Sequence, residues 1–368
     1  MKTFDLVVVG GGAAGLVVAG GAARLEVEVG LVEHKKLGGN CLHYGCVPSK
    51  ALLHAAKVIG YLREGRTFGL DVPEDLPDFG KIMDYGRRVQ AVLGEHDTPE
   101  RFEEKGVRVI FGKPRFVSPT EMEVDGRKLG SKRFVLATGS RARVLPIPGL
   151  EEVGYITNVE VFGLRELPES LIILGGGPVA IELSQAFSRL GSRVTVLEKM
   201  SQILPREEPE AAQALQKILE GEGITFHTGI EIKRLEKQEG EKVVFLEKAG
   251  KEMRVQGKEV LVALGRSPEL EGLNLEEAGV QFTEKGITVN AALRTTAKNI
   301  WACGDCIGGH LFTHVAEYEA GIVVRNAFSP LRKKADYGIV PRATFTDPRN
   351  WRMSGLRKRK RRKEASPM

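Results

Sequence analysis

The sequence predicts an α/β chain built on parallel sheets, and three observations predict it. Two apolar runs, at residues 4–9 and 171–174, each lead straight into a glycine turn. Each turn opens a stretch of helical pattern, then a second strand-like run at residues 27–32 or 193–197 that ends in a glutamate, Glu33 or Glu198. The spacing from first glycine to acid is 23 positions in both copies, Gly10 to Glu33 and Gly175 to Glu198. Equal spacing in two separate matches identifies one repeated unit rather than two accidents.

The first unit reads Gly10-x-Gly12-x-x-Gly15, with Ala13 and Ala14 opening the helix. This is the dinucleotide-binding pattern of a Rossmann-like βαβ unit. Gly10 makes the tight turn and Gly12 lets a pyrophosphate approach the backbone. Gly15 lets helix and strand pack closely, and Glu33 takes the ribose hydroxyls. Gly20 and Gly21 sit inside the predicted helix, where each costs about 1 kcal/mol relative to alanine. The second unit reads Gly175-x-Gly177-x-x-Ala180 and ends in Glu198. Two such units predict two dinucleotides. Glu198 hydrogen-bonds the 2′-hydroxyl of NAD and repels the 2′-phosphate of NADP; Ala180 in place of a third glycine leans weakly toward NADP. The carboxylate meets the group that differs, so NAD is expected.

At 368 residues the chain has room for two or three domains. Its net charge of +6 is local: residues 357–363 are seven consecutive basic residues, and without them the balance is −1. The body of the chain is therefore near neutral and gives no sign of a nucleic-acid partner. Residues 6–23 are uncharged and long enough to resemble a membrane span, but six glycines make a poor spanning helix. They start too near the N-terminus for an export signal, so the cytoplasm is the expected compartment.

The stretch GGNCLHYGCVPSK, residues 38–50, holds two of the four cysteines. In a regular helix Cys41 and Cys46 would stand about 7.5 Å apart along the axis, beyond the roughly 7 Å that a disulfide spans. They either remain two thiols or close across a distorted turn, which Gly45 and Pro48 would permit. A zinc site is disfavoured, because no second ligand pair has finger-like spacing. In a reducing compartment a close pair is more often redox-active than structural. Cys303 and Cys306 form a second close pair and are read as packed thiols.

Two dinucleotide units and a CxxxxC ahead of Lys50 resemble the flavin-dependent pyridine nucleotide–disulfide oxidoreductases, over residues 4–348. The further motifs are ATGS (137–140), ALGRSP (263–268), NIWACGDCIGG (299–309) and LFTHVAEYEAG (311–321). The resemblance implies an FAD-binding domain over 1–150 completed by 276–340, and an NAD-binding domain over 151–275. FAD would meet the first glycine turn, Gly39, Lys50, Thr138, Gly139, Ser140, Asp305 and Thr313. NAD would meet the second turn, Glu198 and Gly265. Cys41 and Cys46 would form the redox disulfide, Cys46 on the flavin side and Cys41 exchanging with substrate. Lys50 would sit near the flavin ring, paired with Glu182. His43 and Tyr44, between the cysteines, either tune the pair or simply pack.

The implied activity is electron transfer between NAD(H) and a small dithiol or disulfide, of the dihydrolipoamide dehydrogenase or mercuric reductase type. Nothing in the sequence selects lipoamide over glutathione, mercuric ion or quinone. The resemblance stops after Pro348. Relatives are expected to continue into a dimerisation domain that supplies a catalytic histidine, whereas here no histidine follows His314. Residues 341–368 read as the start of that domain followed by a basic tail of frame-slip character. Doubtful dimerisation is therefore expected, and the alternative function is a truncated flavoprotein that binds both nucleotides with little disulfide turnover.

Overall fold

Alternation within the apolar strands fixes both faces of each parallel sheet. In the strand Leu6–Val9, Leu6 and Val8 enter one core, while Val7 and Val9 enter another. In Ser170–Leu174, Leu171 and Ile173 face one way and Ile172 and Leu174 the other. Strands buried on both faces are what a sheet covered on both sides requires.

The computed structural model describes residues 2–72, 78–347 and 352–353. Its helices, in chain order, are α1 (Ala13–Ala23), α2 (Gly39–Tyr44), α3 (Cys46–Gly65), α4 (Phe79–Gly94), α5 (Pro99–Glu103), α6 (Leu150–Val153), α7 (Pro178–Leu190), α8 (Pro209–Gly221) and α9 (Thr313–Phe328). The chain divides into two compact units. The first holds residues 2–45, 90–141 and 266–337; the second holds the described residues of 46–89, 142–265 and 338 onward. The segment 46–89, expected within a 1–150 domain, groups with the second unit. There Leu52, Ala56 and Ile59 of α3 share a core with Ala186, Phe187 and Leu190 of α7. The boundaries fall near 141 and 265 rather than at 150 and 275. Residues 348–351 and 354–368, with the basic run 357–363, lie outside the described residues.

In the first unit a five-stranded parallel sheet runs in the order Ile300–Ala302, Phe134–Leu136, Leu6–Val9, Val29–Glu33, Val107–Phe111. α1 and α9 cover the face carrying Leu6, Val8 and Leu31. Phe116, Met122 and Leu129, from the sheet that ends in Pro114–Ser118, Glu121–Val124 and Arg127–Ser131, cover the other. The run at 4–9, expected as one strand, is broken at Asp5. Lys2–Phe4 pairs with Arg127–Ser131, whereas Leu6–Val9 pairs within the parallel sheet. The break is pinned by the Asp5 carboxylate, which accepts from Glu28 N and from Lys132 Nζ.

The second unit repeats the plan. Its parallel sheet runs Thr225–Thr228, Arg193–Glu198, Ser170–Leu174, Glu259–Val262. α7, α8 and α3 contribute to the core on one face; Leu235, Val244 and Leu246 of an antiparallel three-stranded sheet fill the other. The uncharged stretch 6–23 resolves into a strand, a glycine turn and α1. Among the described residues no helix is long and apolar enough to cross a membrane.

Two of the three glycines of α1, Gly15 and Gly21, are explained by packing. A Cβ on Gly21 would sit 3.2 Å from Val324 Cγ2 of α9, so the small residue lets the two helices approach. A Cβ on Gly15 would lie 1.8 Å from the Gly10 carbonyl oxygen. In the second unit the equivalent Ala180 is accommodated in the buried core. We therefore expect Gly15→Ala to destabilise by about 2–3 kcal/mol through overpacking. Ala180→Gly should cost about 1 kcal/mol through helix propensity and lost contact. Denaturant midpoints read the difference, and equal losses would contradict the close helix–turn contact.

Candidate functional site: two glycine cradles and a thiol-bearing turn

Each parallel sheet ends in a glycine turn held by a carboxylate. Glu33 terminates its strand, is buried, and accepts from Gly11 N at 2.7 Å and Lys35 N at 2.8 Å. Glu198 does the same in the second unit, accepting from Gly176 N at 2.5 Å and Met200 N at 2.7 Å. Gly10 and Gly175 have φ of +106° and +107°, a region that favours glycine. A Cβ at either would strike the next strand's exit, Ala137 O at 2.4 Å or Ala263 O at 2.5 Å. Both acids have a role the sequence did not show: they set the shape of the turn. Each carboxylate oxygen keeps a second lone pair for a hydroxyl.

α1 and α7 begin directly after these turns, with Gly12 and Gly177 as N-caps. Neither has a side-chain cap or an acid in its first turn. The first backbone N–H groups of a helix have no acceptor within it, so each start presents partial positive charge to an anion. Ala13 and Ala14 open α1; Ala180 lies one residue beyond the first two of α7. Gly139 and Gly265, at the two strand exits, have φ of +74° and +104°.

The segment expected to be redox-active forms α2, a turn at Gly45, and the start of α3. Gly39 opens α2 with φ of +57°, and a Cβ there would sit 2.6 Å from Gly12 Cα, so this loop lies against the first cradle. Cys41 is half-buried in α2 and Cys46, the first residue of α3, is exposed. Gly45 folds back onto the start of α2. A Cβ on it would lie 2.9 Å from Asn40 O and 3.4 Å from Cys41 Cα. His43 Nε2 lies 2.7 Å from Leu37 O, and burial lowers its pKa, favouring the neutral ring. Tyr44 carries Lys36 Nζ over its ring at 5.3 Å.

In the second unit Lys50 Nζ donates to Glu182 Oε2 at 2.6 Å, and the other oxygen of the buried Glu182 accepts from Phe345 N at 2.9 Å. Lys50 also lies over the Phe345 ring, 4.5 Å from its centroid. In the first unit Asp305 opens a 3-10 turn. Its carboxylate accepts from Ser140 Oγ at 2.5 Å, and that hydroxyl accepts from Arg266 Nε at 2.7 Å. Thr138 Oγ1 donates to Glu269 O at 2.7 Å, and Thr313 is the first residue of α9.

The pyridine nucleotide-disulphide oxidoreductase family profile matches residues 4–320. The dihydrolipoyl dehydrogenase of Thermus scotoductus is 38% identical over 373 residues, covering 99% of this chain and 78% of that protein. The chain belongs to this family. The mercuric reductase of Staphylococcus aureus is 34% identical over 346 residues, covering 94% of this chain but 63% of that protein. This chain therefore spans less than two thirds of that relative's length. Among solved structures, the Cu(II) complex of the HOCl-induced flavoprotein disulfide reductase RclA from Escherichia coli superposes with a TM-score of 0.86 at 27% identity. The match covers all of this chain and 80% of that one.

Membership of the pyridine nucleotide-disulphide oxidoreductase family implies a flavin and a pyridine nucleotide. The residues present fit such groups. Each unit offers an uncapped helix start behind a glycine turn too tight for any Cβ, which suits a pyrophosphate. Each also offers a buried carboxylate at the end of the adjacent strand.

The four cysteines separate into two kinds. Cys303 and Cys306 are fully buried, and Cys306 Sγ lies 3.4 Å from Leu136 O and 3.2 Å from Cys303 O. Burial raises both thiols, Cys306 to about 12. Several participants have no motif in the sequence. Gln90 holds the α2 end, donating to Leu42 O at 3.0 Å and His43 O at 2.9 Å. Buried Glu319 accepts from Gly304 N and from Tyr337 Oη, each at 2.7 Å, and so anchors the turn that carries Asp305. Arg266 was visible inside ALGRSP, but its bond to Ser140 was not. Gln90, Glu319 and Tyr337 bond backbone or each other across the fold, and such partners leave no spacing to read.

Burial holds Cys306 in the thiol form near neutral pH. Because Cys46 is exposed and Cys306 fully buried, alkylation of the reduced native protein at pH 8 should label Cys46 at least about 100-fold faster than Cys306. The Cys306 rate should rise about tenfold per pH unit. Mass spectrometry after timed iodoacetamide quenching reads this, and comparable rates would contradict the packed-thiol reading.

Proposed function

We propose that this chain is an FAD- and NAD-linked disulfide oxidoreductase of the dihydrolipoyl dehydrogenase or mercuric reductase type, passing electrons between NAD(H) and a small dithiol or disulfide. The observation that carries the reading is the fold-back at Gly45. It returns the chain leading into Cys46 to the Cys41 backbone, as a disulfide between the two would require. Two matched nucleotide cradles support it.

The first cradle, with Gly10, Gly12, Gly15, Glu33, Ser140 and Asp305, is assigned to FAD. The second, with Gly175, Gly177, Ala180 and Glu198, is assigned to NAD. Bound in the first cradle, the flavin supplies the two-electron chemistry that links a hydride donor to a disulfide. The chain's residues do the rest. Cys46 opens a 20-residue helix, a position where the helix dipole favours a thiolate, and takes the flavin-side role. Cys41 exchanges with substrate. Glu182 is fixed by Phe345 N and keeps Lys50 in place. Such a cycle suits a compartment that keeps thiols reduced, such as the cytoplasm.

The preference for NAD rests on Glu198, whose carboxylate opposes a 2′-phosphate. Because Glu198 also holds the Gly176 and Met200 amides, charge reversal would disturb the turn itself. Glu198→Gln removes the charge and keeps one acceptor oxygen, so only one of the two turn amides loses its partner. NADH should reduce the FAD-loaded chain faster than NADPH, and Glu198→Gln should narrow that preference by on the order of tenfold. Stopped-flow reduction with each nucleotide decides it. Equal wild-type rates would remove the NAD assignment.

The redox assignment is tested by trapping. Anaerobic NADH should convert two alkylation-resistant sulfurs of the oxidised, FAD-loaded chain into two labelled thiols, Cys41 and Cys46. Cys46→Ser should leave Cys41 labelled before and after NADH. If NADH changes neither sulfur in the wild type, the proposed reaction is wrong.

A further inference from the structure

We infer that Gln90 is a positioning residue for the redox turn: its carboxamide holds the end of α2 in the closed shape and thereby favours the Cys41–Cys46 disulfide. The inference rests on the proposed redox role of those cysteines and deepens it.

Leu42, His43 and Gln90 all lie in the first unit. α2 has six residues, so the carbonyls of its last turn have no N–H donors within the helix. Gln90 Nε2, from α4, donates to two of them, Leu42 O at 3.0 Å and His43 O at 2.9 Å. One turn further along α4, a Cβ on Gly94 would sit 3.6 Å from Leu42 Cδ2, so the same face of α4 lies against α2 at both positions. Leu42 and His43 stand between the cysteines, and Gly45 returns to Cys41 directly after them. The Gln90 bonds are therefore made inside the six-residue loop that a Cys41–Cys46 bond would close.

The Gln90 bonds go to backbone carbonyls and involve neither sulfur, so they can order the loop in the dithiol form. Closing a loop that is already ordered loses less conformational entropy than closing a free one. Without Gln90, two carbonyls lose their donors and the segment gains freedom in the dithiol form. The equilibrium should then move toward dithiol.

The test measures that equilibrium directly. The FAD-loaded chain is equilibrated anaerobically in glutathione buffers, where the Cys41–Cys46 disulfide and two glutathione thiols exchange for two protein thiols and one glutathione disulfide. Alkylation and mass spectrometry count the protein thiols. Gln90→Leu keeps the bulk without donors, and Gln90→Glu keeps the shape with a carboxylate facing the carbonyls. Both should shift the equilibrium about tenfold toward dithiol, equivalent to about 30 mV for a two-electron couple. Arg88→Ala, at an exposed position of α4, should not shift it. Circular dichroism checks folding, and the near-isosteric Gln90→Glu carries the test should Gln90→Leu fold poorly. Wild-type equilibria in both Gln90 variants would overturn the inference while leaving the redox reading intact. Absence of a Cys41–Cys46 disulfide in the wild type at every glutathione ratio would overturn both.

Discussion

Both nucleotide sites proposed for this chain depend on a carboxylate at a strand end holding a glycine turn open. Glu33 and Glu198 each accept one amide from inside the turn and one from two residues downstream. A buried carboxylate left unpaired is costly, and one that accepts charge-assisted bonds from backbone amides is stabilised. The acid and the turn therefore fix each other. Once the turn is fixed, the following helix starts with its amides facing outward, and the neighbouring strand exit packs against a glycine that tolerates no Cβ. The same device appears twice, with near-identical φ at Gly10 and Gly175.

The cysteine segment is built on a different principle. Its shape comes from small residues and backbone capping rather than from a buried charge. Gly39 lies against Gly12, Gly45 against Asn40 and Cys41, and Gln90 closes the end of α2. Cys303 and Cys306 also flank a glycine turn, anchored by Glu319, but both are fully buried. They lie in the apolar cores beside the parallel sheet, where desolvation disfavours the thiolate. Close spacing of cysteines alone therefore does not mark reactivity; exposure and the surrounding backbone do.

The sequence made the repeated unit legible because its determinants are local: glycines at fixed spacing, an acid at a strand end, and alternation within strands. Strand limits were less legible. Residues 4–9 look continuous, yet Asp5 divides them between two sheets because its carboxylate finds Glu28 N and Lys132 across the fold. The grouping of 46–89 with the second unit was also hidden. It arises from the fit of α3 against α7, including Gly60 beside Arg189, and side-chain fit has no spacing. Gly20 and Gly21 read as flaws in a helix; at Gly21 the reason is the nearness of α9. Gln90, Glu319 and Tyr337 were missed because each acts on backbone or on another missed residue.

The central claim is that one chain couples a nucleotide-linked flavin to a dithiol–disulfide pair. Counting electrons tests it most directly. An anaerobic dithionite titration of the FAD-loaded chain should consume four electrons per flavin, two for the flavin and two for the Cys41–Cys46 bond. Cys46→Ser should consume two. A wild-type value of two, unchanged by Cys46→Ser, would contradict the account.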